Sequence, residues 1–351
     1  MNRKLYILYF LAFCWLLYTC SPGKTDEVTP APEPYTLDLP SYFPKPVYNF
    51  ENNPLTMEGI ALGRRLFYDP RLSKDSTVSC GFCHQQFAAF SHFDHPLSHG
   101  VENRTGTRTV PTMFNVIWQQ NFMWDGGVNH LDIQPLTPFT DPNEMGETLE
   151  NIINKVQGNA TYRKMFKAAY GTDQVTTERL FKALSQFMAT VNSFTTKYDS
   201  VINHIGNVSF TYEEETGYEV FKAKCASCHK EPLFTDFSYR NNGIPYNTFL
   251  DDVGRMRITN NTGDYMKFKV PTLRNIMKSP PYMHDGRFYD IFQVFNHYNS
   301  GIEQSATVDP LVKNGLNLSG IDQRNLYFFL RTLTDEDLVN NQDLKELIIN
   351  D

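Results

Sequence analysis

Two short motifs constrain this chain more than anything else in it: Cys80-Gly81-Phe82-Cys83-His84 and Cys225-Ala226-Ser227-Cys228-His229. The chain has six cysteines in 351 residues, and the other two, Cys14 and Cys20, lie in its first twenty positions. No cysteine is left for a structural disulfide, so the four in the motifs serve chemistry. Cys-x-x-Cys-His is a c-type haem attachment signature: two thiols add across the vinyl groups, and the next histidine lies beneath the iron. Paired zinc motifs usually sit about 15–20 residues apart, far closer than these two. A thioredoxin-like pair has no need of a histidine after each Cys-x-x-Cys. The residues therefore predict two covalently bound c-type haems. Cys80, Cys83, Cys225 and Cys228 are the attachment points, and His84 and His229 the proximal iron ligands.

Covalent haem attachment requires export, and the start of the chain agrees. Arg3 and Lys4 precede an unbroken apolar and aromatic run from Leu5 to Tyr18. That run is too short for a bilayer helix of about 20 residues and suits a signal-peptide core. It ends Leu17-Tyr18-Thr19-Cys20, which resembles a bacterial lipobox. Residues 1–19 are thus expected to be a lipoprotein signal peptide, with Cys20 lipidated at the mature N-terminus. Ordinary signal cleavage and an uncleaved anchor are the alternatives. The expected location is periplasmic, anchored to a bacterial membrane only through that lipid. Ser21 to Pro54 holds eight of the chain's twenty prolines, so residues 20–54 read as an extended, partly polyproline linker holding the body off the membrane. The formal charge is −7; an acidic chain without basic blocks argues against nucleic acid as a partner.

The body echoes itself. A helix is expected from Thr56, a plausible N-cap, through Ile60, Leu62, Leu66 and Phe67. A second begins at Thr211 with a capping box completed by Glu214. Each carries Gly-x-x-apolar-Phe (Gly63 to Phe67, Gly217 to Phe221) and leads to a Cys-x-x-Cys-His. Each half closes on an amphipathic helix: Leu180, Leu184, Phe187, Met188 and Val191 in one, and Leu326, Phe329, Leu330 and Leu333, behind Ser319, in the other. Gly63 and Gly217 would let the two terminal helices of each half cross closely. This is the plan of a c-type cytochrome domain repeated, so the fold class is all-α with little sheet. It comprises two tandem c-type cytochrome domains, 55–205 and 206–351, meeting at a haem–haem interface.

With both motifs in place, further stretches resemble the bacterial di-haem cytochrome c peroxidase/MauG family: Leu66-Phe67-Tyr68-Asp69-Pro70-Arg71-Leu72-Ser73, Ser98-His99-Gly100, Gly106-Thr107-Arg108, Phe122-Met123-Trp124-Asp125-Gly126-Gly127, Phe268-Lys269-Val270-Pro271-Thr272-Leu273-Arg274-Asn275 and Pro281-Tyr282-Met283-His284-Asp285-Gly286. The resemblance implies that the N-terminal haem is the peroxide site and that the C-terminal haem receives outside electrons. Trp124 matches the tryptophan between the haems, whereas Trp118 reads as core. Gln134 and Glu144 match the distal pair, with Glu144 as acid/base in a dry pocket and Gln134 orienting peroxide. His99 matches a histidine that ligates the resting peroxidatic haem, with His92 and His95 as neighbours in the same cluster.

The implied reaction is reduction of hydrogen peroxide to water by a haem-dependent peroxidase. Its electrons come from a small cytochrome c or cupredoxin. The alternative is a MauG-like oxidase acting on a protein or other bulky substrate through high-valent iron, and a homodimer is compatible with either. The family's calcium ion between the domains would here be held by Thr109, where an Asn is usual, with carbonyls of Ser279 and Pro281. The second axial ligand of the C-terminal haem, usually a Met, falls on Tyr298, which resembles the MauG branch. His297 is its rival, and Met277 and Met283 are the nearby thioethers.

Overall fold

Seven helices of ten residues or more, all starting from side-chain caps, carry the fold in the described residues of the computed structural model, 30–349. They are α1 (Met57–Tyr68), α2 (Leu149–Gly158), α3 (Ala160–Tyr170), α4 (Thr177–Thr190), α5 (Tyr212–Lys224), α6 (Ile291–Ser300) and α7 (Gly320–Arg331). Thr56 caps α1 by accepting the Gly59 N–H at 3.0 Å. Thr211 and Glu214 form the expected capping box on α5, and Ser319 and Asp322 form one on α7. Each box satisfies backbone donors that a helix start leaves open. Sheet is confined to one antiparallel pair, β1 (Tyr239–Arg240) and β2 (Phe268–Lys269), among the described residues. The chain is thus mostly helical with little sheet, as expected. None of the described helices is long and apolar enough to cross a membrane.

The packing repeats as the sequence does. α1 crosses α4, and α5 crosses α7. A Cβ on Gly63 would stand 1.9 Å from the Ala183 carbonyl oxygen, and one on Gly217 would stand 2.0 Å from that of Asn325. Both glycines are therefore required by close backbone approach. One hydrophobic cluster gathers Leu62, Leu66, Phe67, Leu184 and Phe187, and another gathers Phe221, Phe234, Phe295, Leu326 and Phe329. Arg274 is fully buried, and its guanidinium forks onto both Asp199 oxygens at 2.7 and 2.8 Å.

The signal segment and Cys20 lie outside the described residues. The proline-rich stretch is not a free tether over its described part. Tyr35 N–H donates to the Leu55 carbonyl and Met57 N–H to that of Glu33, both at 2.9 Å. Tyr42 Oη donates to the Phe194 carbonyl at 3.0 Å, and Trp118 Nε1 donates to that of Pro44 at 2.7 Å. Phe43 is buried against Trp118, which is core as expected. Proline makes this backbone extended, but its aromatic side chains are worth more against the body than in water.

Gly63→Ala is expected to lower stability by about 1–3 kcal/mol or more, since the clash is with backbone that has no rotamer to yield. Chemical unfolding of this variant beside an exposed Gly158→Ala control, whose added Cβ meets nothing, checks it.

Candidate active site

The two Cys-x-x-Cys-His segments are built alike and open onto separate cavities. Ser79 caps the single turn Cys80–Cys83, which His84 closes by donating its N–H to the Cys80 carbonyl at 2.8 Å. His229 N–H closes on Cys225 at 3.0 Å in the same way. His84 Nδ1 donates to the Phe90 carbonyl at 2.8 Å. His229 Nδ1 lies 3.2 and 3.1 Å from the carbonyls of Phe234 and Pro271. A carbonyl can only accept, so the proton sits on Nδ1 in each ring and the Nε2 lone pair is left for another group. Burial holds both imidazoles below their ordinary pKa and thus neutral.

The first cavity, about 430 Å³, is lined by Cys80, Cys83 and His84 together with Gln134 and Glu144. The second, about 270 Å³, is lined by Cys225, Cys228 and His229 together with Met283 and Tyr298. Apolar walls, two adjacent thiols and an oriented neutral imidazole in each fit a planar iron cofactor held from one side. Burial pushes the thiols of Cys80, Cys83 and Cys225 up to about 12, so they stay protonated and are poor zinc ligands as they stand. Among the described residues no group of three His, Cys, Asp or Glu converges as a metal centre.

A single wall separates the cavities, and Thr109, Gln119, Met123, Trp124 and Lys269 line both. It is made by two loops that cross. Val110-Pro111-Thr112 through Trp124-Asp125-Gly126 in the first half is matched, in the same register, by Val270-Pro271-Thr272 through His284-Asp285-Gly286 in the second. Thr109 N–H donates to the His284 carbonyl at 2.8 Å, and Lys269 N–H donates to the Trp124 carbonyl at 2.7 Å. Met123 and Met283, at equivalent places, both have positive φ, +67° and +73°. The Trp124 indole N–H donates to the Thr109 carbonyl at 2.9 Å, which fixes the ring in the wall. Arg108 clamps the crossing by binding Asp125 at 2.6 Å and Asp252 at 2.6 and 2.8 Å. Burial alone would raise Asp252, but Arg108 outweighs it and holds the carboxyl below the usual range.

Glu144 has the opposite environment. Burial, with Asp141 adding repulsion, pushes its carboxyl up to about 7. Gly100 holds the neighbouring backbone in place, because a Cβ there would meet the Asn143 carbonyl oxygen at 2.1 Å and that of Glu144 at 2.5 Å. Gln134 Nε2 lies 3.9 Å from the Met123 sulfur in the same cavity.

The other expected site residues are placed variously. His99 is exposed and does not line the cavity of His84; its backbone makes an isolated bridge with Thr105, and its ring lies tilted 4.9 Å from that of His95. His92 is the buried member of that cluster, bonded through Nε2 to Thr109 Oγ1 at 2.9 Å. Thr109 has thus engaged its hydroxyl with His92 and its carbonyl with Trp124. Thr109, Ser279 and Pro281, the residues expected at the calcium ion, all line the second cavity. Tyr298 reaches the second cavity, and burial pushes its phenol up to about 12. Its rival His297 turns aside, with Nε2 donating to the Asn242 carbonyl at 3.1 Å. Lys269 and the Arg108 clamp are absent from the sequence-based site. The repeated Val-Pro-Thr is the signal that marks where they fall.

Residues 57–206 match the family model of the di-haem cytochrome c peroxidase. The methylamine utilization protein MauG of Methylophilus methylotrophus is 30% identical over 300 residues, covering 84% of this chain and 86% of the relative. The chain belongs to the di-haem cytochrome c peroxidase/MauG family. Members are haem-dependent oxidoreductases, so the chain is an enzyme of that class, and the family implies two haems. The cytochrome c551 peroxidase of Nitrosomonas europaea is 36% identical over 229 residues, covering 64% of this chain and 68% of that one. The crystal structure of a MauG-like protein associated with microbial copper homeostasis superposes with a TM-score of 0.81 at 29% identity, covering 89% of this chain and 99% of that one.

A carboxyl whose folded pKa is raised contributes most to stability below its unfolded value, and that contribution is lost as pH rises through the folded value. Glu144→Gln abolishes the dependence. Between pH 5 and pH 8 wild type should lose up to about 3 kcal/mol relative to the variant, as read from urea midpoints at the two pH values.

Proposed function

We propose that this enzyme reduces hydrogen peroxide to water with electrons from a small cytochrome c or cupredoxin. In this reading Cys80, Cys83 and His84 hold one covalent haem, and Cys225, Cys228 and His229 hold the other. They do so in two cytochrome domains, 55–205 and 206–351, that meet at the wall containing Trp124. The observation that carries it is Glu144 in the cavity of His84, with a carboxyl raised to about 7. Haem iron bound there supplies the electrons and the site for a peroxide oxygen. Glu144 takes a proton from one peroxide oxygen and gives it to the other as the O–O bond breaks, which demands a group poised near neutral pH. Gln134 hydrogen-bonds the peroxide in place. Two further protons and two electrons complete two waters. Trp124, fixed by Thr109, lines both cavities and shortens the path for the electrons.

A second reading rests on Tyr298. As a ligand in the second cavity it is a hard anionic donor favouring oxidised iron, which suits a MauG-like oxidase of a protein or other bulky substrate. Export through residues 1–19 and lipid anchoring at Cys20, giving a periplasmic enzyme, complete the proposal.

Glu144→Gln should lose peroxide turnover by about 10²–10⁴ while both haem spectra persist; unchanged single-turnover peroxide cleavage would remove Glu144 from the mechanism. Tyr298 is tested by near-infrared spectroscopy of the oxidised enzyme. The expectation is no His–Met band in wild type and an altered second-haem spectrum in Tyr298→Phe. A His–Met band in wild type would return the enzyme to ordinary Met ligation.

A further inference from the structure

The wall between the cavities carries one amine that the proposed reaction leaves unused. Lys269 opens onto both cavities, and its Nζ donates to Gln119 Oε1 at 2.6 Å and to the Asn121 carbonyl at 2.8 Å. Both acceptors are neutral, and among the described residues Lys269 makes no ion pair within 4 Å. The acid that acts on it most, Asp125, is already committed: one oxygen is 2.6 Å from Arg108, and the other accepts the Gly127 N–H at 3.0 Å. Burial accordingly draws the amine down to about 7. The equivalent place in the first half is Thr109, a neutral hydroxyl bonded to His92. The charge is thus confined to one side of the crossing.

A half-buried ammonium whose two hydrogen-bond acceptors are both neutral favours an anion that completes the site. The anion must come from whatever fills the cavities, because the other residues that line both, among them Thr109, Gln119, Met123 and Trp124, carry no charge. Each haem brings two propionate carboxylates, the chemistry that Lys269 lacks here. We propose that Lys269 pairs with a propionate of one of the two haems, and so positions that haem and raises its reduction potential. The proposal rests on the di-haem reading. The backbone of Lys269 also holds the Trp124 carbonyl, so the same residue ties the charge at the cofactor edge to the loop that carries the indole. Lys269 is a positioning residue in this account, with no proton or electron passing through it.

The test uses the exported, haem-loaded enzyme. Haem is counted first in wild type, Lys269→Met and Lys269→Arg; each haem is then titrated potentiometrically and its propionate bending band is read by resonance Raman spectroscopy. Removing a positive charge beside a haem favours the ferric state. Lys269→Met should therefore keep two haems, lower the potential of one, and shift that haem's propionate band, whereas Lys269→Arg stays close to wild type in both. Should Lys269→Met fail to fold, Lys269→Gln keeps a donor for Gln119 and Asn121 without the charge and carries the same comparison. Potentials and bands unchanged in the neutral variant would overturn the pairing and leave Lys269 an anchor for the 119–124 loop. A lowered potential with an unchanged propionate band would overturn the contact as well. A wild type that loads no haem would overturn the di-haem reading and this proposal with it.

Discussion

Two backbone hydrogen bonds, Thr109 to His284 and Lys269 to Trp124, organise the rest of this molecule. Each half lends a loop that accepts from the other, so neither half finishes its own cavity wall alone. The exchange needs left-handed backbone at Met123 and Met283, where the chain turns to present the next residue to its partner. It also needs the Arg108 clamp, because Asp125 and Asp252 are both buried and Arg108 is the cationic partner they share. From that crossing follow the shared wall, the fixed indole and the separation of the cavities.

Electrostatics then divide the two sides. Acids that hold the architecture are paired, Asp252 with Arg108, which holds its carboxyl below the usual range, and Asp199 with Arg274. Glu144, which lines the first cavity, makes no ion pair among the described residues and is raised. The imidazoles of the two motifs are neutral and oriented by carbonyls, which suits iron ligation and would not suit an ion pair. The same contrast of paired against unpaired groups singles out Lys269, the cationic counterpart of Glu144.

Much of the fold was legible because it rests on local rules. Thr56, Thr211 and Ser319 cap helices wherever their spacing is met, and Gly63 and Gly217 advertise close crossings by their place in an apolar face. The four motif cysteines and two histidines are legible as a repeated pattern, and each set lines its own cavity. What escaped depends on tertiary paths. Proline content at 30–54 reveals an extended backbone but not whether Tyr42, Phe43 and Tyr48 find a surface to cover, and they do. His92, His95 and His99 are alike in sequence, and only the loop through Asp94, Glu102 and Asn103, all at positive φ, decides that His92 is buried and His99 is not. Nothing in Phe-Lys-Val-Pro marks Lys269 as lining both cavities; the loop exchange places it there.

The account stands on one claim, that the wall bearing Trp124 couples the two cavities. Stopped-flow mixing of the fully oxidised enzyme with one equivalent of hydrogen peroxide, followed at the absorption bands of each haem, measures it directly in wild type and Trp124→Phe. The account predicts that both haems respond in one phase in wild type, and that in the variant the response of the C-terminal haem is delayed while that of the N-terminal haem keeps its rate. An unaltered C-terminal response in Trp124→Phe would contradict it.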